Sequence, residues 1–324
     1  MTETPPTLTA EVAGITFPNP LGLAAGYDKN AQAVTGTLKL GFGFTELGTV
    51  TPEPQKGNPR PRVFRLRRDE AVINRLGFNN DGAAKVSERL RRLRENGNLP
   101  APLGVNLGPG HNQITNAAAA LGETAAVVAP YADYVTVNLS SPNTAGLREM
   151  QSPPRAEAIL RAVADGLAAA SSPSSAPPVF LKLSSDIGDD DLSGAVSLAR
   201  AGACRALIIG NTTTTRPAEL RETATARETG GLSGRPLFAL STETLARAWL
   251  LGEGEVALIG AGGIDGAEAA WQKIRHGASL VQLYTGLLYH GPGLPRRILS
   301  GLEERMRRGG HRRLSDVAGE ALRR

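Results

Sequence analysis

The stretch VTVNLSSPNTAGLR, residues 135–148, decides how the chain folds. A β-branched run stops at Asn138 and gives way to two serines, Pro142, Asn143 and Thr144, with Gly146 soon after. Proline and glycine placed like this end a strand and open a loop. Polar groups packed so densely at a strand end either cap a turn or hold something. The pattern recurs along the chain. Short apolar runs fill 19–26, 43–50, 103–108, 134–140, 179–184, 206–212, 256–264 and 280–286. They are nearly continuous in hydrophobicity, as expected for strands covered on both faces of a parallel sheet.

Amphipathic segments fill most of the gaps. Residues 81–95 put Ala84, Val86, Leu90 and Leu93 near one helical face, and 155–170, 190–202, 241–253 and 266–278 repeat the theme. Ser241 ahead of Glu243 and Thr244, and Asp189–Asp191 ahead of Leu192, read as helix starts. Eight strands alternating with helices predict an α/β TIM (β/α)₈ barrel, with a doubly wound open sheet as second choice. One such domain accommodates all of 1–324. Two hairpins decorate it, at 8–20 and at 62–74, the second turning at Arg68–Asp69. SSPSSAPP (171–178) reads as a loop between helix and strand, and 296–324 as a basic helical tail.

Bulk composition narrows the function. Hydrophobic residues at 41% suffice for a large core, and 38 glycines with only 4% aromatics suggest many tight strand–loop junctions. A net charge of +5 and a pI near 9.6 invite a nucleic-acid partner. Its distribution argues against one: nine arginines and four acids in 296–324 account for the whole surplus. That tail is best read as a solvated helix face, with peripheral contact to a membrane surface as the second reading. Cys204 stands alone in an apolar run, so no disulfide, redox pair or zinc site is available, and no metal is expected. No segment approaches a transmembrane span and the first residues lack signal-peptide features, which predicts a reducing, cytoplasmic setting.

In a barrel, chemistry gathers where strands end and βα loops begin. Applied here, that filter collects Gly26, Asp28, Lys29 and Asn30, then Gly48 and Thr49, Asn106, Asn138 to Asn143, Lys182, GNTTTT (210–215), GAGGI (260–264) and YTG (284–286). Two of the six lysines converge on this mouth. Capping accounts for one polar strand end but poorly for eight. Gly262–Gly263 and Tyr284–Thr285 fall where barrel enzymes build phosphate sites from backbone N–H groups, and GGLSGRPL (230–237) offers more of them. No G-x-G-x-x-G follows a strand, which argues against a Rossmann-type dinucleotide site. A phosphate-bearing cofactor lying across the mouth leaves its ring to Thr49, Asn106, Asn138 and Lys182. A lysine there suits a flavin, because hydride transfer leaves negative charge that a fixed cation stabilises. The alternative for Lys182 is a buried ion pair with Asp186 or Glu46.

Together NPLGLAAGYDKN, GFGFTELGTVTPEPQKGNPRPRVFRL, INRLGFNN, VNLSSPNTAGLR, GNTTTTRP, TGGLSGRPL and GASLVQLYTG resemble the dihydroorotate dehydrogenases, from about residue 12 to about 293. The resemblance implies FMN and the oxidation of dihydroorotate to orotate in pyrimidine biosynthesis. That family divides by its base, cysteine in one class and serine in the other. Ser141 matches the serine class, which passes electrons to a membrane quinone, and Ser140 would be a structural neighbour. A lone serine is a poor base at neutral pH. Its proton must therefore move on through water or Thr144, with Phe78 helping to exclude solvent. As Ser141 takes the C5 proton, C6 would give hydride to the flavin. By the same carry-over Lys29, Asn74, Arg75, Leu76, Gly77, Phe78, Asn138, Asn143, Asn211 and Thr212 form the substrate set. Lys29 would meet the carboxylate and the asparagines the ring amides. For FMN the matching positions are Ala25, Gly26, Thr49, Asn106, Asn138, Lys182, Gly210, Gly234, Gly263, Tyr284 and Thr285.

Some positions depart from the family pattern. Serine-class relatives carry an N-terminal helical extension that docks on the membrane, whereas about eighteen residues precede the first barrel strand here. The extension is therefore expected to be absent or removed, and the quinone acceptor and a location on the cytoplasmic face of the inner membrane hang on it. Tyr27 stands where Leu or Phe is usual, GPGHN (108–112) lacks a lysine, and Gly210 replaces a Thr or Ser. Three alternatives stay open. One is a flavin barrel acting on RNA uridines, like the dihydrouridine synthases, which would want a cysteine acid on a loop and a basic groove. Another is a related barrel with a soluble acceptor or altered substrate. The last is a non-catalytic binding module, which would not need Ser141, Lys29 and Lys182 together.

Overall fold

The computed structural model describes residues 6–171 and 176–323; within SSPSSAPP, residues 172–175 lie outside the described residues. The chain enters through a hairpin of β1 (Ala10–Val12) and β2 (Ile15–Phe17), which turns at Ala13–Gly14, both at positive φ. Then come β3 (Leu21–Leu23), β4 (Phe44–Val50), β5 (Val63–Leu66), β6 (Ala71–Asn74), β7 (Leu103–Leu107) and β8 (Tyr134–Asn138). The remaining strands are β9 (Val179–Leu183), β10 (Ala206–Ile209), β11 (Gly231–Gly234), β12 (Leu258–Ala261) and β13 (Leu280–Leu283). Strands β3, β4, β7, β8, β9, β10, β12 and β13 pair in that order, and β13 returns to β3 to close a parallel eight-stranded barrel. The fold is a TIM barrel, and its closure rules out the open sheet.

Every barrel strand occupies an expected run, and most stop short at the C-terminal end. β10 stops at Ile209 and β13 at Leu283, so the polar residues beyond them are already loop. Along each strand, side chains alternate between the helical shell and the barrel interior. Leu103, Val105 and Leu107 of β7 and Val135 and Val137 of β8 pack outward, fully buried, in the main core. The inward positions divide into layers. At the N-terminal ends Phe44, Tyr134 and Phe180 meet Phe17 of the hairpin, which closes the barrel floor. Phe17 lies edge-on to Phe44 at 5.1 Å and Tyr134 stacks on Phe180 at 4.5 Å, favoured aromatic geometries. Glycines make the room: a Cβ at Gly22 would run into the Phe44 ring, and one at Gly104 into Tyr134.

The shell includes helices Ala83–Glu95, Ala117–Val128, Pro153–Ala170, Asp189–Arg200, Phe238–Leu251, Ala267–Arg275 and Leu294–Gly309. Helix Ala83–Glu95 buries Ala83, Val86 and Leu90, while Ala84 faces solvent, a shift of one residue from the expected stripe. Helix Phe238–Leu251 starts earlier than expected, so Ser241 does not open it; Ser241 lies a turn inside and is fully buried. The basic tail is not one helix. Leu294–Gly309 buries Leu294, Ile298, Leu302 and Met306 against the barrel and ends at Gly310 in the left-handed region. No helix among the described residues is long and apolar enough to cross a membrane.

The hairpin at 62–74 is present as β5 and β6, but it has a third strand. β11, from the segment expected to be a glycine loop, pairs antiparallel with β6 from Gly231 opposite Asn74 to Gly234 opposite Ala71. Strand propensity argues against a run beginning and ending in glycine. Here the missing side chains are what permit it, since a Cβ at Gly231 would strike Thr212 and one at Gly234 the backbone of Glu70. This small sheet stands over the barrel mouth.

Candidate active site

One step up each strand from the aromatic floor, the inward positions turn polar: Glu46, Asn106, Thr136, Lys182 and Gln282. Glu46 is their centre. It accepts hydrogen bonds from Asn106 Nδ2 (2.8 Å), Thr136 Oγ1 (3.1 Å), Gln282 Nε2 (2.9 Å) and Tyr134 OH (3.3 Å). Burial and the Glu46 charge push the Tyr134 pKa well up, which keeps its hydroxyl a donor. Four donors make a buried carboxylate tolerable. Lys182 Nζ sits 4.0 Å from Glu46 Oε1 and has no hydrogen bond among the described residues. Burial lowers the Lys182 pKa and Glu46 opposes the shift. The alternative ion pair is thus with Glu46 and not with Asp186, which is taken by Arg148 at 2.8 Å. Lys182 nevertheless lines the mouth.

Above this layer the strand ends are tied together. Thr49 Oγ1 donates to Asn106 Oδ1 at 2.6 Å, and Asn138 Nδ2 donates to both Thr49 Oγ1 (3.0 Å) and Asn106 Oδ1 (3.1 Å). Asn106 is fully buried beneath the wall and serves as its anchor. The two serines separate cleanly. Ser140 donates from N and Oγ to Asn138 Oδ1 and accepts from Asn211 Nδ2 at 2.7 Å, so its hydroxyl is spent on the wall. Among the described residues Ser141 Oγ accepts only the Asn143 N–H, at 3.3 Å, and it faces a pocket.

That pocket holds about 630 Å³ of empty space and is lined by Ser141, Lys29, Asn74, Leu76, Gly77, Phe78, Asn138, Asn143, Asn211 and Thr212, with Ala25, Gly26, Thr49, Lys182 and Tyr284. Lys29 Nζ donates to the Gly26 carbonyl. Burial first, then the Arg62 charge, lower its pKa to about 8 against the pull of Asp28. Of the expected substrate set, Arg75 stands apart. Its guanidinium pairs with Glu228 at 2.8 Å, bonds Thr229 and lies over the Phe64 ring, so the side chain belongs to the small sheet and not to the pocket.

A second cleft of about 980 Å³ of empty space continues from the first, sharing Ala25, Asn74, Lys182, Asn211, Thr212 and Tyr284. Its far end is built from Gly210, Gly234, Gly262, Gly263 and Thr285, and its rim from Val63, Val72, Leu288, Tyr289 and Arg235. The N–H groups of Gly263 and Tyr284 have no acceptor among the described residues. Thr212 Oγ1 and Gln282 Oε1 are buried without partners among the described residues. Free N–H groups at one end, with a lysine and orphaned polar atoms at the other, fit a phosphate-bearing, hydrogen-bonding ring. At the rim Glu70, Asp265 and His290 bring ligand atoms within 4.8 Å of one another, a cluster of metal-ligand types that the sequence did not lead us to expect. Arg235 lies 3.7 Å from Glu70 and 3.6 Å from Asp265 and offsets their charge.

Sequence reasoning missed Arg148. It reaches from the loop after β8 to the Thr212 carbonyl (2.9 Å), the Ser140 carbonyl (3.3 Å) and Asp186, and so clamps three strand-end loops together. Its signal was an arginine at the end of a loop that otherwise carries amides and hydroxyls. Cys204 is buried, and burial pushes its thiol up to about 12, so it is inert.

The profile described as dihydroorotate dehydrogenase matches residues 7–306. The dihydroorotate dehydrogenase (quinone) of Sphingopyxis alaskensis is 48% identical over 316 residues, 98% of this chain and 86% of that protein. The protein of the same name from Bradyrhizobium sp. (strain ORS 278) is 48% identical over 96% of this chain and 85% of its own length. Among solved structures, Eimeria tenella DHODH in complex with ferulenol superposes with a TM-score of 0.95 at 38% identity, covering all of this chain and 91% of that one. The ligand-free form gives 0.94. With a match along nearly the whole chain, at close to half identity and on the same barrel, the chain belongs to the dihydroorotate dehydrogenase family.

Proposed function

We propose that the protein oxidises dihydroorotate to orotate in pyrimidine biosynthesis, with FMN as cofactor, Ser141 as base and a quinone as electron acceptor. One observation carries this: unlike Ser140, Ser141 is not tied into the hydrogen-bonded wall, and it faces a pocket that also holds Lys29 and four asparagines and opens onto the Lys182 cleft. Lys29 would meet the substrate carboxylate as a point charge. Asn74, Asn143, Asn211 and Thr212 offer the donors and acceptors that a cyclic diamide needs. Ser141 Oγ takes the proton from C5, and Phe78 beside it limits access of water. Thr144, buried with its Oγ1 unpartnered among the described residues, is a way onward for that proton.

FMN, when bound, supplies the acceptor for the hydride leaving C6. Gly263, Tyr284 and Gly234 would hold its phosphate, and Ala25, Gly26, Thr49, Asn138 and Lys182 its ring, with Asn106 behind them. Lys182 would offset negative charge on the reduced ring. Val63 and Leu288, each about half exposed, give the outer rim the apolar character that a quinone needs. A membrane quinone would bring this rim to the bilayer as a peripheral contact on the cytoplasmic face, where exposed arginines of helix Leu294–Gly309 could meet anionic headgroups.

The test is a spectrum. Purified protein should show flavin absorbance that dihydroorotate bleaches without oxygen and a quinone restores. A colourless protein, or a spectrum indifferent to dihydroorotate, refutes the assignment. Bleaching that NAD or fumarate reverses, but a quinone does not, refutes the acceptor alone.

A further inference from the structure

Lys273 lies on helix Ala267–Arg275, away from the pocket, and is fully buried. Its Nζ donates to Ser241 Oγ at 2.6 Å and lies 5.2 Å from the Phe238 ring centroid. Burial alone lowers its pKa, with no carboxylate acting on it. Such burial disfavours the ammonium form, and no ion pair among the described residues offsets it.

Geometry shows what the pair acts on. Because Lys273 occupies the Ser241 oxygen as a donor, the serine proton is directed to a carbonyl, and those of Gly262 (3.1 Å) and Phe238 (3.2 Å) are in reach. Gly262 and Gly263 line the far end of the larger cleft. In a planar trans peptide the C=O and the following N–H point in opposite directions. Fixing the Gly262 carbonyl toward Ser241 therefore turns the Gly263 N–H away from it, and that N–H has no acceptor among the described residues. A Cβ at Gly263 would collide with Phe238, so this peptide packs directly on the turn that carries Ser241.

We propose that Lys273 and Ser241 are positioning residues that aim the Gly263 N–H at a phosphate, so that together they set the preference for phosphorylated over unphosphorylated flavin. This rests on the FMN assignment above. The test exchanges bound cofactor: the holoprotein is dialysed against riboflavin or FMN in excess, and the bound flavins are then identified. Wild type should keep FMN against excess riboflavin. Lys273→Met and Ser241→Ala should lower that preference tenfold or more, and Ser241→Thr, which keeps a hydroxyl, should restore it. Loss of packing alone would weaken both flavins equally and leave the ratio intact. An unchanged ratio in folded Ser241→Ala overturns the proposal, whether or not Lys273→Met folds. A wild type that binds riboflavin as well as FMN overturns the phosphate site itself, and this inference with it.

Discussion

The interior of the barrel has two ends made by the same strands. At the floor, Phe17, Phe44, Tyr134 and Phe180 interlock; one step up, Glu46, Asn106, Thr136, Lys182 and Gln282 form a hydrogen-bonded layer. Tyr134 joins them, its ring stacked in the floor and its hydroxyl on Glu46. The floor needs only shape. The upper layer buries polar groups, which is unfavourable unless each is satisfied. Its hydrogen bonds are complete on the Glu46 side and incomplete on the side of the mouth, where Lys182 and Gln282 Oε1 lack partners among the described residues. One end is satisfied within the protein; on the function proposed above, the other is completed by the flavin.

Substitutions should separate the two ends. The largest effect is expected at the mouth: Ser141→Ala should slow flavin reduction by dihydroorotate ~10²–10⁴-fold, the range for loss of a general base. FMN content and melting temperature should stay as in wild type; stopped-flow reduction at the wild-type rate would remove Ser141 from the mechanism. At the floor the pattern inverts. Phe180→Ala should cost about 3–5 kcal/mol of stability, read by denaturant unfolding, while reduction per bound flavin is unchanged.

Glu46→Gln tests the boundary. It replaces an all-acceptor group with one whose amide N–H₂ faces other donors, at a cost of about 1–3 kcal/mol. Unlike the floor variant, it should lose FMN along with stability, because Asn106 and Lys182 both lean on Glu46. Full FMN occupancy would mean the layer is packing only. The smallest effect concerns pH. Burial sets the Lys29 pKa at about 8, so the ammonium is charged below that value and neutral above it. If Lys29 meets the carboxylate as proposed, orotate, an anion, should prefer the charged form. Its affinity should be flat below pH 8 and fall by up to about tenfold per unit above it, in titrations followed by the flavin spectrum.

The sequence made the barrel legible because its apolar runs are long, separate and eight in number. Two of the elements that stayed hidden show why. β11 is bracketed by glycines, and it pairs because their missing side chains admit Thr212 and the backbone of Glu70. Helix Ala117–Val128 is alanine-rich and buried over most of its circumference, so no amphipathic stripe announces it. Strand-end polar residues located the mouth, since strands of a closed barrel all end on one side. The layer beneath was harder to see. Counting back by twos from Asn138 gives Thr136 and Tyr134, and from Lys182 gives Phe180, so the layers were written in the alternation. The apolar outward residues masked it. Glu46 surfaced only as an alternative partner for Lys182. Lys273 hid on the helix expected to be amphipathic at 266–278, where a lysine suggests the charged face, yet it sits three residues after buried Ala270 and beside Ile274, a core position. Arg75 lay within a motif that otherwise lines the pocket, and nothing in the local sequence announced Glu228 across the sheet.

The central claim is that a proton leaves the substrate through position 141. Ser141→Cys tests it most directly, because a free thiol ionises near pH ~8.5, far below a serine hydroxyl. The rate of flavin reduction by dihydroorotate, measured across pH in wild type and variant, should show retained activity whose optimum moves to lower pH. A variant that reduces its flavin with the wild-type pH profile would contradict the claim, since the group that ionises would then lie elsewhere.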